Sequence, residues 1–308
     1  MRMIPAVLAA VLAVTVAGCP DRHARPGTPG QAPRILCGTF PMYLFTLAVV
    51  EGRGGAQVTL MIPPAMGCPH DYELTVGDMR AIVAADVFIA NGLGMEEYLG
   101  PPLARANPSI KVIDTSAGIT DRIAMKGDEP EHGRWNPHLF ASPAQAARVV
   151  RTIASELGKL DPAGKETYDK NARAYAEQLE ALAREFVQAV KEFPNRRIVT
   201  EHAVFDYLAR DCGLEIVAVV EEHPGQDPSA AGMVKLISTI KSAHAAAVFT
   251  EPQYPVKVSQ AIAAGAGVPV AMLDAVAGGG DNAGPGYYLA TMRANLKTLA
   301  ATLGRKAP

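Results

Sequence analysis

The chain has 308 residues, 49% hydrophobic and 19% charged, enough for two domains with substantial cores. Lys and Arg number 29 against 31 Asp and Glu, and aromatics make up 6%, which argues against a basic or base-stacking nucleic-acid binder. Four cysteines in this length exclude a disulfide scaffold.

In chain order, the first feature is an export signal over 1–18. Arg2 supplies the positive start, and 4–16 is an apolar run too short to span a membrane comfortably. It ends in Val16-Ala17-Gly18-Cys19, which resembles the bacterial lipobox and makes Cys19 the candidate lipidated N-terminus. Lipid on Cys19 would anchor the chain without spanning. The Pro- and Gly-rich stretch over 19–33 reads as the lipidated cysteine and a flexible tether.

A βα rhythm starts at residue 34. Short apolar runs predict strands at 34–38, 57–62, 86–90 and 111–114, with helices near 41–51, 75–84 and 95–105. A second series predicts strands at 196–200, 215–220, 246–250 and 269–273, with helices at 203–211, 229–243, 256–265 and 286–302. Continuous apolar strands suit parallel sheets covered on both faces. Between the series, Ser142-Pro143 predicts a helix to about 158, with Ser142 as N-cap. Asp161-Pro162 predicts a second helix to about 192. Its apolar stripe of Tyr168, Ala172, Tyr175, Leu179, Leu182, Phe186 and Val190 has helical spacing. The fold class expected is α/β, two lobes each with a parallel sheet flanked by helices, joined by a long inter-lobe helix. The boundaries expected are 34–160 for the first lobe, 161–193 for the linking helix and 194–308 for the second lobe. A rigid rod between lobes argues against a large hinge motion.

Ligands of open parallel sheets bind outside the carboxyl ends of the strands. His70, His138, His202 and Asp274 each follow a predicted strand on that side, two from each half. Three imidazoles and a carboxylate suit a borderline divalent ion, Zn²⁺ above all. Spacing alone leaves two readings open: one ion held by all four, or unrelated loop and core histidines. A catalytic zinc would need an open coordination position and a base. Glu201, Glu251 and Asp71 are candidates for the base that no spacing singles out. There is no His-Glu-x-x-His, serine elbow or phosphate loop, so an enzyme is disfavoured.

Five segments occur in a fixed order: Pro69-His70-Asp71-Tyr72-Glu73, Asn136-Pro137-His138, His202-Ala203-Val204-Phe205, Glu251-Pro252-Gln253 and Leu273-Asp274. Together they resemble the zinc/manganese-type substrate-binding lipoproteins of bacterial ABC importers (the ZnuA/TroA-like, cluster A-I group), over nearly all of 34–303. The resemblance implies four metal ligands, His70, His138, His202 and Asp274. It implies a lipid-anchored, monomeric, extracytoplasmic receptor that delivers Zn²⁺, with Mn²⁺ as competitor, to an ABC permease and its cytoplasmic ATPase. The third ligand is commonly His in zinc-type members and Glu in manganese-type ones, so His202 favours zinc. A Mn²⁺/Fe²⁺ receptor of the same fold and a metal-binding surface adhesin are the alternatives.

Some residues depart from the family pattern. Asn136 replaces an Asp and Phe140 a Trp, which removes a negative charge from a candidate partner of the second ligand. The stretch 126–135 holds one histidine, His132, and reads as a solvated surface loop rather than a metal-collecting one. Cys68 reads as a small thiol shaping its turn rather than a fifth donor. Cys37, Cys212 and His244 read as structural, and His223 as no ligand. Protonated imidazole cannot bind metal, so affinity is expected to fall below about pH 6.

Overall fold

The computed structural model describes residues 31–66, 72–125, 134–221 and 225–304. The export signal, Cys19, Cys68, His70, His132 and His223 lie outside the described residues, as does most of the 126–135 loop.

In chain order the first lobe runs β1 (Arg34–Cys37), α1 (Phe40–Val50), β2 (Gln57–Leu60), α2 (Val76–Ala84), β3 (Val87–Ala90), α3 (Gly100–Ala106) and β4 (Lys111–Asp114). Two long helices follow, α4 (Pro143–Leu160) and α5 (Lys165–Lys191). The second lobe runs β5 (Arg197–Thr200), α6 (Asp206–Cys212), β6 (Glu215–Val219), α7 (Ala230–Ser242), β7 (Ala247–Thr250), α8 (Lys257–Ala266), β8 (Val270–Met272) and α9 (Gly286–Leu303). Each lobe holds a four-stranded sheet, ordered β2-β1-β3-β4 and β6-β5-β7-β8. Every pairing is parallel. Apart from the helix expected at 95–105, the expected strands and helices are present within a few residues. No described helix is long and apolar enough to cross a membrane.

Strand alternation explains the layering. Ile35, Cys37, Val87 and Ile89 of the first sheet belong to one core cluster, with Ile198, Ala247 and Phe249 of the second. Leu36 and Phe88 turn the other way and pack with Ile82, Leu99 and Leu103. Val199 and Val248 turn outward to Ile240 and Ile262. So each sheet has its own outer core, while the inner faces share one. The predicted stripe of α5 from Tyr168 to Val190 is wholly buried in that shared core. At ~1.5 Å per residue α5 is a rod of about 40 Å, long enough to serve both lobes.

Two local expectations fail. The helix expected at 95–105 splits into a 3-10 turn over Glu97–Leu99 and then α3, because Pro101 and Pro102 lack N–H groups and suit only a helix's first turn. Ser142 is the N-cap residue of α4, as expected, although its hydroxyl donates to Asp211 Oδ2 of α6 at 2.7 Å rather than making a capping bond. Asp161-Pro162 does not open α5, which starts at Lys165. Instead, the Asp161 carboxylate accepts from Arg53 Nε at 2.9 Å and Tyr168 Oη at 2.7 Å. Cys37 and Cys212 are buried free thiols, each pushed up to about 12 by burial, as suits a structural role.

Burial raises the Asp161 pKa, but the Arg53 and Tyr168 bonds outweigh it and hold the carboxyl below the usual range. Asp161→Asn is therefore expected to cost about 2 kcal/mol at neutral pH, since it removes charge-assisted bonds. A depressed folded-state pKa gives stability that is present above the unfolded value and lost as pH falls through the folded one. The gap between parent and variant in thermal melts should thus close as pH drops below about 4. A gap that stays constant to low pH would show that the charge of Asp161 contributes nothing.

Candidate metal site

His138 follows β4, in the segment leading to α4, and His202 follows β5. Both are buried, and their rings meet edge to face with centroids 5.3 Å apart. The structure thus brings together one predicted ligand from each lobe.

Each ring is set by a partner at Nδ1. His138 Nδ1 lies 2.9 Å from Asn136 Oδ1, which also accepts the His138 backbone N–H at 2.9 Å. An amide oxygen only accepts, so this nitrogen carries the proton and Nε2 carries the lone pair. His202 Nδ1 lies 2.7 Å from Glu251 Oε1, the carboxylate–histidine pairing that raises the donor strength of the other nitrogen. Gln253 Nε2 holds the second Glu251 oxygen at 2.9 Å. Tyr254 packs on the His202 ring, with centroids 5.5 Å apart.

The loop around His138 is fixed from both lobes. Asn91 Nδ2, just past β3, donates to Pro137 O at 2.9 Å. From the second lobe, Tyr207 Oη donates to Asn136 O at 2.9 Å and Tyr288 Oη donates to Phe140 O at 2.7 Å. These bonds fix the backbone on both sides of His138.

Asp274 follows β8. Asn295 of α9 clamps its backbone, accepting its N–H at 2.9 Å and donating to its carbonyl at 2.7 Å. Its Oδ1 accepts Val276 N–H at 2.7 Å. Val276 has φ of 62°, a left-handed conformation that a β-branched residue rarely adopts. The carboxylate is thus aimed by a strained turn. Burial, opposed by the Val276 bond and aided by repulsion from Glu251, raises the Asp274 pKa.

His70 lies outside the described residues, but the segment just before it meets the Asp274 loop. Gly279 N–H, five residues past Asp274, donates to Pro64 O of the first lobe at 2.9 Å. The loop also packs closely on the Phe40 ring at Gly279, where a Cβ would come 2.5 Å from Phe40 Cζ and force the ring to move. Among the described residues alone, no three His, Cys, Asp or Glu side chains are grouped to hold a metal ion.

The electrostatics favour a cation. Glu201, Glu221 and Glu251 are all buried beside His202. Glu201 is pushed up to about 7, mainly by burial, against the hydroxyl of Ser259, whose one proton is shared between both Glu201 oxygens at 2.8–2.9 Å, and with repulsion from the other two carboxylates. A positive ion in the cleft would offset that repulsion.

Sequence reasoning named His138, His202 and Asp274 and flagged position 136 as a partner of His138, but it raised Glu251 only as a base and missed Asn91, Tyr207 and Asn295. Glu251 was visible as a residue at the carboxyl end of a strand, the same signal that marked the ligands. Asn91, Tyr207 and Asn295 carried no local signal.

The family model described as zinc-uptake complex component A, periplasmic (ZnuA), matches residues 35–302. The high-affinity zinc uptake system protein ZnuA of Bacillus subtilis is 29% identical, over 88% of this chain and 87% of its own length. The zinc-binding lipoprotein AdcA of Streptococcus pneumoniae is 28% identical over the whole chain, which spans 62% of that longer protein. The solved structure of FpvC from Pseudomonas aeruginosa in complex with Mn²⁺ is 32% identical, with a TM-score of 0.76 over 89% of this chain and 98% of that one.

Proposed function

This chain belongs to the periplasmic zinc-uptake complex component A (ZnuA) family, and on that premise we propose that its cleft captures Zn²⁺ through His70, His138, His202 and Asp274. The family is a substrate-binding component of uptake systems rather than an enzyme; it acts outside the cytoplasm, with an ABC permease and ATPase. The observation that carries the ligand set is the meeting of His138 and His202 from opposite lobes, each with Nδ1 engaged by an acceptor. Such tautomers present Nε2 to the ion, and Zn²⁺ accepts imidazole nitrogen at about 2.0–2.1 Å. Asp274 supplies the anionic donor from the second lobe, and His70 completes four ligands from the first.

Mn²⁺ prefers oxygen donors, so a three-imidazole set favours Zn²⁺, with Mn²⁺ as the weaker competitor. Ligands from both lobes fix the relative tilt of the lobes, and the permease reads that tilt as the loaded state. The lobes are assigned to 34–160 and 194–308 with 161–193 linking them, and the protein acts as a monomer. Cys19 carries the lipid anchor; the lipobox-like Val16-Ala17-Gly18-Cys19 and the lipoprotein name of AdcA support this.

The test is titration of the chelator-stripped protein with Zn²⁺ and Mn²⁺ separately, by calorimetry and by the fluorescence of Trp135. That Trp is the only one in the chain and lies three residues before His138. One tight Zn²⁺ site with Mn²⁺ much weaker is expected. No tight site, or tighter binding of Mn²⁺, overturns the zinc reading. In cells, Cys19→Ser should move the protein out of the membrane fraction; persistent membrane association would remove the lipid anchor from this account.

A further inference from the structure

We propose that Asn136 and Asp206 form a matched pair across the two lobes that positions His138 for the metal, an inference that rests on His138 being a ligand. Asn136 is completely buried. Its amide has an accepting end and a donating end, and each serves a different lobe. Oδ1 accepts twice from His138. Nδ2 donates to Ala203 O at 2.7 Å and to Asp206 Oδ2 at 3.1 Å, both in the second lobe. The backbone N–H of Asn136 donates to Ile123 O at 2.8 Å, and its carbonyl accepts from Tyr207 Oη. One side chain thereby links the His138 ring to the turn that directly follows His202.

His138 itself does not require an amide at 136, because a carboxylate oxygen would accept its N–H groups equally well. The second lobe does require one. An Asp at 136 would turn an oxygen toward the Ala203 carbonyl and the Asp206 carboxylate, with no donor between them. A fully buried carboxylate at 136 and the half-buried Asp206 carboxylate that close resist ionising together, and one must shift or take a proton. The identity of residue 136 is thus set by Asp206, a residue of the other lobe. A polarised chain runs from the Asp206 carboxylate through the Asn136 amide to His138 Nδ1–H. Asn136 is a positioning residue: it holds the tautomer and the place of one ligand, and ties both to the lobe that carries the other.

A reciprocal swap tests this. Four chelator-stripped proteins are compared: the parent, Asn136→Asp, Asp206→Asn and the double variant Asn136→Asp/Asp206→Asn. Zn²⁺ affinity and the melting temperature of the metal-free form are both read. Asn136→Asp is expected to weaken Zn²⁺ about tenfold, the lower end of losses seen when a ligand's hydrogen-bond partner is changed. The double variant exchanges amide and carboxylate, and should regain most of that affinity, which is the non-additivity that marks a coupled pair. A double variant no better than Asn136→Asp overturns the pairing, as does an Asn136→Asp protein that binds like the parent. If the swap restores the melting temperature but not the Zn²⁺ affinity, Asn136 serves only the fold and the positioning role falls. Should Asn136→Asp fail to fold, the double variant still decides, by folding and binding or by failing as well. His138→Ala, measured alongside, separates the two levels. Normal Zn²⁺ binding by His138→Ala would remove the ligand reading itself; lost binding there with no effect of Asn136→Asp would remove only the pair.

Discussion

Replacing His202 with Ala is expected to weaken Zn²⁺ binding by more than about a hundredfold. Changing only a ligand's hydrogen-bond partner costs about 10–100-fold, so removing the donor itself costs more. His202→Ala also takes from Glu251, a completely buried carboxylate, its imidazole partner. The readout is the thermal shift on adding Zn²⁺, because a ligand at a hundred times its Kd adds about 2.7 kcal/mol to stability and a variant with weak affinity gains little. A His202→Ala protein with the full parental shift would exclude His202 as a ligand. Glu251→Gln is the milder companion. A Gln carbonyl can still accept the Nδ1–H, so the tautomer survives while the negative charge is lost, and a loss nearer tenfold is expected. His202→Glu should move the ratio of Zn²⁺ to Mn²⁺ affinity toward Mn²⁺. It adds a fourth carboxylate beside Glu201, Glu221 and Glu251, so the ratio shifts while the absolute affinity for Zn²⁺ falls. An unchanged ratio would count against His202 as the selector.

Phe186→Ala should cost about 3–5 kcal/mol, the range for emptying a buried aromatic site. Phe186 lies in the C-terminal part of the α5 stripe, in the core that both sheets share. The loss is therefore expected to lower a single unfolding transition rather than to split it. Urea melts followed by far-ultraviolet circular dichroism and by Trp135 fluorescence, a probe in the segment leading from β4 to α4, would test this. Coincident curves that shift together support one core. Two separated transitions would show that the lobes unfold independently and that α5 serves only one of them.

The strands were legible because each is a short apolar run with both faces covered, and parallel sheets read that way in sequence. The α5 stripe was legible for the same kind of reason, since seven apolar positions at helical spacing have one plausible buried face. What the sequence did not show is where a side chain is taken by a distant partner. Ser142 has the right residue type and position for a cap, yet Asp211, far along the chain, takes its hydroxyl. Asp161 stands before a proline as helix starts often do, yet Arg53 and Tyr168 hold its carboxylate. Local propensity is worth about 1 kcal/mol at such positions and loses to a charge-assisted bond.

The same division runs through the site. By itself the sequence determined the βα order, the linking helix, and the presence of His138, His202 and Asp274 just past strand ends, because these follow from hydrophobic period and strand polarity. Tertiary structure alone decided that both sheets share an inner core, that Glu251 and Asn136 choose the tautomers of the two histidines, and that Asp206 faces the Asn136 amide. Period and polarity are properties of a short stretch of chain. A hydrogen-bond partner lies 49 residues away for His202 and 70 for Asn136, and exists only once the elements that carry both groups have docked.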